Sequence, residues 1–186
     1  MNVLEAISQR RSVRQYADTP VPRELIAKLL DAATEAPSAM NTQPWAFGVI
    51  EGRQRLEHIG DKARLGLLAE LDARGVTGDF RDRVANPDMR PFYGAPALVV
   101  IYATNPDDFA PINCSLAAQN LMLAATELGL GTCWIGVAGP YLNSPQGKTD
   151  FGVPDDCKAI AALIVGYPAG ETEPKEKNPP NVLFWE

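Results

Sequence analysis

Histidine is almost missing from this chain of 186 residues, where His58 is the only one. A Ser/His/Asp triad or a Cys/His dyad would have to be built on that one imidazole, and the polar stretch around it, Arg55 to Gly60, offers no matched nucleophile and orienter. Cysteine is scarce too. Cys114, Cys133 and Cys157 are odd in number, far apart and without a CxxC pair, which excludes a disulfide framework and a thiolate zinc site. Walker, HExxH and strand-linked GxGxxG motifs are all missing, as is any paired-carboxylate pattern. Positive charge is in deficit: Lys and Arg total 17 against 23 Asp and Glu, for a net charge of -6. Such a chain has no broad basic face for nucleic acid. Long apolar runs are missing as well. The richest stretch, Leu116 to Leu130, is interrupted by Gln119, Asn120, Thr126 and Glu127, which excludes a membrane span there. The first nine residues hold no signal-peptide core, and the sequence after Arg10 and Arg11 is charged and proline-broken rather than apolar, so a twin-arginine export signal fails. The expectation is a soluble cytoplasmic protein whose chemistry is brought in by a cofactor.

What is present is enough for one sizeable core, 46% of residues being hydrophobic, and one domain over residues 1–186 is expected. Asn2 and Glu5 predict a capping box, opening a helix that carries Val3, Leu4 and Ile7 on one face and ends near Arg10. From Arg11 to Tyr16 polarity alternates as in an extended segment, so Arg10, Ser12 and Arg14 should share a face and Arg11 should look away. Pro22 and Glu24 start a second helix, whose stripe of Leu25, Ile26, Leu29, Leu30 and Ala33 runs out before Pro37. Strands are predicted at Trp45–Glu51 and Ala97–Ala103, around "TCWIGV" after Gly131, and along "AIAALIVG". Between them fall a charged helix from Gln54 to Arg74, a connection rich in Gly, Asp and Arg, an apolar helix from Pro111 to Leu128 that belongs in the middle of the protein, and a short helix from Ser144 and Pro145. The end of the chain mixes proline and charge yet closes on Val182, Leu183, Phe184 and Trp185, which predicts a segment pinned onto a surface. The element order suits a mixed α/β or α+β domain.

Four segments are candidates for chemistry. The first places Arg10, Arg11 and Arg14 within five residues of an acidic chain. Arginines at a helix C-terminus are favoured by the macrodipole, which accounts for Arg10 and Arg11 alone; Arg14 lies beyond the helix and points to a phosphate held by guanidinium forks and the Ser12 hydroxyl. The second is the loop from Pro37 to Trp45, where Ser38, Asn41 and Gln43 either shape an ordinary turn or supply donors and acceptors to the edge of a planar heterocycle. In the third, Gly129 to Gly136, glycines bracket a strand; Gly129 or Gly131 serves as a helix cap, and Gly136 lets backbone approach a ligand. The fourth is the pair Lys175 and Lys177 in an acidic tail, by itself a solvated charge run.

In this order "RRSVRQY", "APSAMNTQPW", "SLAAQNLMLAATELGLGTCWIG" and "IVGYPAGETEPKEK" resemble the flavin-dependent nitroreductase family over nearly the whole chain, least so from Gly60 to Pro91. The resemblance implies an α+β fold with a central mixed or antiparallel sheet flanked by helices. It further implies an intertwined homodimer with an exchanged C-terminal extension, about residues 167–186, wrapping the partner. It implies FMN in a cleft at the dimer interface, with NADH or NADPH as electron donor and a small-molecule acceptor such as a nitroaromatic or quinone, reduced in a ping-pong cycle. Carried over by motif, Arg10, Ser12 and Arg14 hold the FMN, with Arg10 on the phosphate and Arg14 near the phosphate or the pyrimidine edge. Pro37, Ser38, Ala39, Met40 and Asn41 form a loop reaching the flavin of the other subunit, with Gln43 beside it. Ile135 and Gly136 present backbone to the reactive ring nitrogen, and Lys175 and Lys177 close on the phosphate. Lys62 and Arg64 are candidates for further flavin-edge contacts. No catalytic side chain is demanded, and no metal is implied. Relatives of the same fold with other work (flavin reduction, enone reduction, dehalogenation, flavin breakdown), and a flavin-binding protein without turnover, stay open at this point.

Overall fold

The computed structural model describes residues 1–105, 107–170 and 172–186. Four strands, β1 (Trp45–Glu51), β2 (Ala97–Ala103), β3 (Gly131–Trp134) and β4 (Lys158–Gly166), form one sheet in the order β1-β2-β4-β3. Each neighbouring pair is antiparallel, which settles the choice between a mixed and an antiparallel sheet for these strands. β2 is buried along its whole length because its apolar run serves both faces. Leu98, Val100 and Tyr102 point into one layer, and Ala97, Val99, Ile101 and Ala103 into the other. A bulge at Ile101/Tyr102 places one extra residue in β4, so Ala159 and Ala162 face the first layer while Ala161 and Leu163 face the second.

Helices fill both layers. They are α1 (Val3–Gln9), α2 (Arg23–Thr34), α3 (Arg53–Ala73), α4 (Asp79–Ala85), α5 (Ala110–Glu127), α6 (Gly139–Leu142) and α7 (Pro145–Phe151). Ile26, Leu29 and Ala33 of α2 share a core with Ala117, Ala118 and Leu121 of α5, while Leu56, Ile59 and Ala63 of α3 share the other with Tyr141 and Leu142 of α6. Fully buried alanines along α5, at 110, 117, 118 and 125, leave room for the helix to lie close to the sheet.

The capping box of α1 has both halves: Glu5 N–H donates to Asn2 Oδ1 at 3.0 Å and Asn2 N–H to Glu5 Oε2 at 2.9 Å. The α-ammonium of Met1 pairs with Glu127 at 2.9 Å, which sets α1 beside the C-terminal end of α5. Yet the apolar stripe of α1 is not core: Ala6 is its buried residue, and Val3, Leu4 and Ile7 are exposed. α5 also departs from expectation, burying one side and exposing Ile112 and Leu116. The connection rich in Gly, Asp and Arg contains α4, with Asp79 and Asp82 in its first turn where the helix dipole favours them. Residues 172–186 hold no helix or strand, and Val182 to Trp185 are exposed. Among the described residues no helix is long and apolar enough to cross a membrane, and no three His, Cys, Asp or Glu side chains gather as a metal site.

Candidate active site

The arginine segment is seated on the sheet's β3 edge. Ser12 bridges Thr132, and Val13 N–H donates to the Thr132 carbonyl at 2.9 Å. Beneath it Val13 is buried on Gly131, where an added Cβ would lie 2.6 Å from Val13 Cγ2, so only glycine lets the two backbones come this close. A second bridge joins Tyr16 to Pro168, and the buried Tyr16 hydroxyl donates to the Val13 carbonyl at 2.8 Å. Burial pushes the Tyr16 phenol far above its ordinary value. With Val13 and Tyr16 turned inward, Ser12 and Arg14 are left outward.

They line a cavity of ≈180 Å³ together with Arg10, Arg11, Thr172, Glu173, Lys175 and Lys177. Five cationic side chains thus meet one carboxylate in an acidic protein, and among the described residues none of the five forms an ion pair. Arg11 is the correction here. Strand alternation would turn it away, but a lone bridge at Ser12 is not a strand, and Arg11 Nη1 curls back to donate to the carbonyls of Ser8 at 2.6 Å and Arg10 at 2.9 Å. It therefore lines the cavity. Beneath the floor lies Cys133, whose thiol is pushed up by burial and partly restored by Arg14, Ser12 and Arg10.

The loop of Pro37 to Gln43 is built differently. Ala39, Met40 and Asn41 make a 3-10 turn, and Met40, Asn41 and Gln43 have φ of 52°, 56° and 48°, the left-handed region that side chains with a Cβ avoid. Ser38 Oγ accepts from Gln43 N–H at 2.9 Å, which keeps the hydroxyl proton free to donate outward. Met40 is 97% exposed. The loop is tied to α5 through Asn113, whereas the cradle and α1 lie at the other end of that helix, beside Glu127. Fourteen residues of helix put these points roughly 20 Å apart. No residue of the loop lines the arginine cavity.

Past β3, Ile135 N–H is taken by the Ala162 carbonyl at 2.8 Å. Gly136 is the first residue of a 3-10 turn, so its N–H has no partner within the turn, and a Cβ there would meet nothing within 4 Å. Gly136 is four residues along from Thr132, roughly 13 Å at strand rise, so this amide, without a partner among the described residues, lies a ligand's length from the cradle. Lys62 and Arg64, by contrast, are engaged inside the chain. Lys62 Nζ pairs with Asp150 Oδ2 at 2.6 Å and lies 5.8 Å from the Tyr141 ring centroid. Hydrogen bonds from Lys62, then Tyr141 and Gln146, hold Asp150 well below the usual carboxylate range, and the group locks α3 to α6 and α7 just after Gly136. Arg64 is buried and donates to the Val84 carbonyl at 3.2 Å. One neighbour of the site carried no sequence signal: Tyr93, at φ 52°, sets its ring 5.9 Å from the Arg14 guanidinium carbon.

The cationic cavity fits a phosphorylated ligand. A protein of Methanothermobacter thermautotrophicus named as an NADH dehydrogenase/NAD(P)H nitroreductase is 34% identical over 174 residues, covering 91% of this chain and 78% of its own. Iodotyrosine deiodinase 1 of Rattus norvegicus is 30% identical over 188 residues, covering 93% of this chain and 65% of its own. Among solved structures, a nitroreductase with bound FMN from Bacteroides fragilis superposes with a TM-score of 0.84 at 30% identity, over 99% of this chain and 97% of the other. Residues 7–167, from α1 through the cradle, the loop and Gly136 to the end of β4, match the model of the nitroreductase family, and the chain belongs to that family.

Proposed function

We propose that this protein is an FMN-dependent NAD(P)H oxidoreductase of the cytoplasm that reduces nitroaromatic or quinone-type acceptors by a ping-pong mechanism, as a homodimer. The observation that carries the reading is the cavity of Arg10, Arg11, Arg14, Lys175 and Lys177, unpaired positive charge around a space of phosphate scale. FMN, when bound, supplies the hydride chemistry, taking a hydride from reduced nicotinamide and delivering it to the acceptor. The chain's own residues bind and orient. Arg10, Ser12 and the two lysines would hold the phosphate by charge-assisted hydrogen bonds, and Arg14 would bring positive charge toward the ring. Gly136 N–H, without a partner among the described residues, would donate to the ring nitrogen, and Ser38, Asn41 and Gln43 would meet the edge of the heterocycle.

Two features support the dimer. The separation of loop and cradle at opposite ends of α5 suits a loop that serves the partner's cofactor, with Pro37, Ala39 and Met40 presented across the interface. Apolar surface on α1, on α5 and at Val182 to Trp185 is exposed in the single chain, as expected of faces that a second copy and an exchanged arm would cover. The likeness to a deiodinase keeps reductive dehalogenation as a second acceptor class.

Purified protein is expected to carry or take up FMN, to bleach anaerobically with NADH or NADPH, and to regain colour with a nitroaromatic or quinone. A protein that cannot be reconstituted with FMN overturns the reading, and one that binds it but is not bleached by either nicotinamide is a flavin binder without turnover.

A further inference from the structure

Asn113 is 3% exposed on the inner side of α5, in a layer otherwise lined by apolar side chains, and its Oδ1 accepts the Ala39 N–H at 3.1 Å. Every other hydrogen bond of segment 37–43 stays local: Asn41 to Ser38, Thr42 to Ala39, Gln43 to Ser38, Trp45 to Gln43. Among the described residues the Asn113 carboxamide is thus the one hydrogen bond that fastens this segment to another element. The segment needs a fastener, because its three left-handed residues are not glycines and left-handed backbone of that kind persists only where surroundings enforce it. A buried amide is a costly way to make contact unless the contact matters, and here it meets the residue that opens the turn.

We propose that Asn113 is a positioning residue for the cofactor loop: by holding Ala39 N–H it sets the turn that presents Ser38, Asn41 and Gln43 to the flavin, without touching the flavin itself. The proposal rests on the flavin reading above. It predicts that losing the acceptor frees the turn while the α2, α5 and sheet layer stays packed. Asn113→Leu keeps the branched shape and removes the acceptor, and Asn113→Asp keeps the size, the shape and the acceptor.

The test uses the full-length protein, with and without FMN, and reads hydrogen exchange at the Ala39 amide alongside the FMN dissociation rate. In Asn113→Leu the Ala39 amide should exchange, and FMN should dissociate, roughly tenfold faster than in the parent. In Asn113→Asp both should stay within about twofold of the parent, since the acceptor is retained. Parent-like exchange and dissociation in Asn113→Leu overturn the proposal. So does an Asn113→Asp variant as impaired as Asn113→Leu, since the acceptor would then not be what holds the turn. If the parent takes up no FMN, the flavin reading fails while the Ala39 exchange still decides whether Asn113 holds the turn.

Discussion

The cradle of residues 10–16 and the loop of residues 37–43 are opposite solutions to holding polar groups at a surface. The cradle is seated by backbone: two bridges, a valine pressed onto a glycine, and a tyrosine hydroxyl locking the turn from below. The loop is strained, nearly free of the core, and fastened by one carboxamide. Where charge must be concentrated, a rigid seat is needed because like charges repel and would otherwise spread. Where hydrogen bonds must reach an edge across a gap, a strained turn on one anchor projects side chains that a packed element would bury.

The cradle is the more sensitive of the two to substitution. Arg10→Ala and Arg14→Ala should each weaken FMN binding by about 1.5 to 3 kcal/mol, and together by more, read by fluorescence titration. Affinity unchanged in both would mean the cavity is not the phosphate site. A smaller effect comes from the seat. Gly131→Ala drives a methyl into Val13 and should cost about 1 to 3 kcal/mol of stability while loosening FMN, with Val13→Ala restoring part of both. Failure of the second change to rescue the first in denaturant titration would show that the two backbones part elsewhere. The smallest effect belongs to the loop. Met40→Gly relieves one left-handed residue but frees the unfolded chain, so stability should move by no more than about 1 kcal/mol. A larger loss in thermal melts would mean that the Met40 side chain packs in the assembly and that the loop is less free than its single anchor suggests.

Much of this frame was legible in the residues. The capping box of Asn2 and Glu5, the apolar run of Ala97–Ala103 and the Ser144 start of α7 are local signals that the packing did not override. The arginine cluster stood out because charge of one sign is conspicuous in an acidic chain. Arg11 was misplaced because alternation holds only inside a paired strand. The face that Val3, Leu4 and Ile7 share is exposed in the single chain, since an apolar stripe does not say against what it packs. Asn113 escaped notice for a different reason. A lone asparagine in a helix carries no pattern, and its partner lies 74 residues away. The left-handed turn was hidden as well, since Met40, Asn41 and Gln43 stand where glycine would have announced it.

The three cysteines, set aside at first as neither bridge nor metal site, have a use to the experimenter. Cys114 lies in the layer of α2 and α5, and Cys133 and Cys157 in the layer of α3 and α6. All three are free and buried, and burial pushes the Cys114 thiol up to about 11 and raises the other two. A thiol reagent at neutral pH therefore finds almost no thiolate until a layer opens. The labelling rate of each cysteine becomes a clock for the breathing of its own side of the sheet, and the native chain reports on its two halves without a single introduced probe.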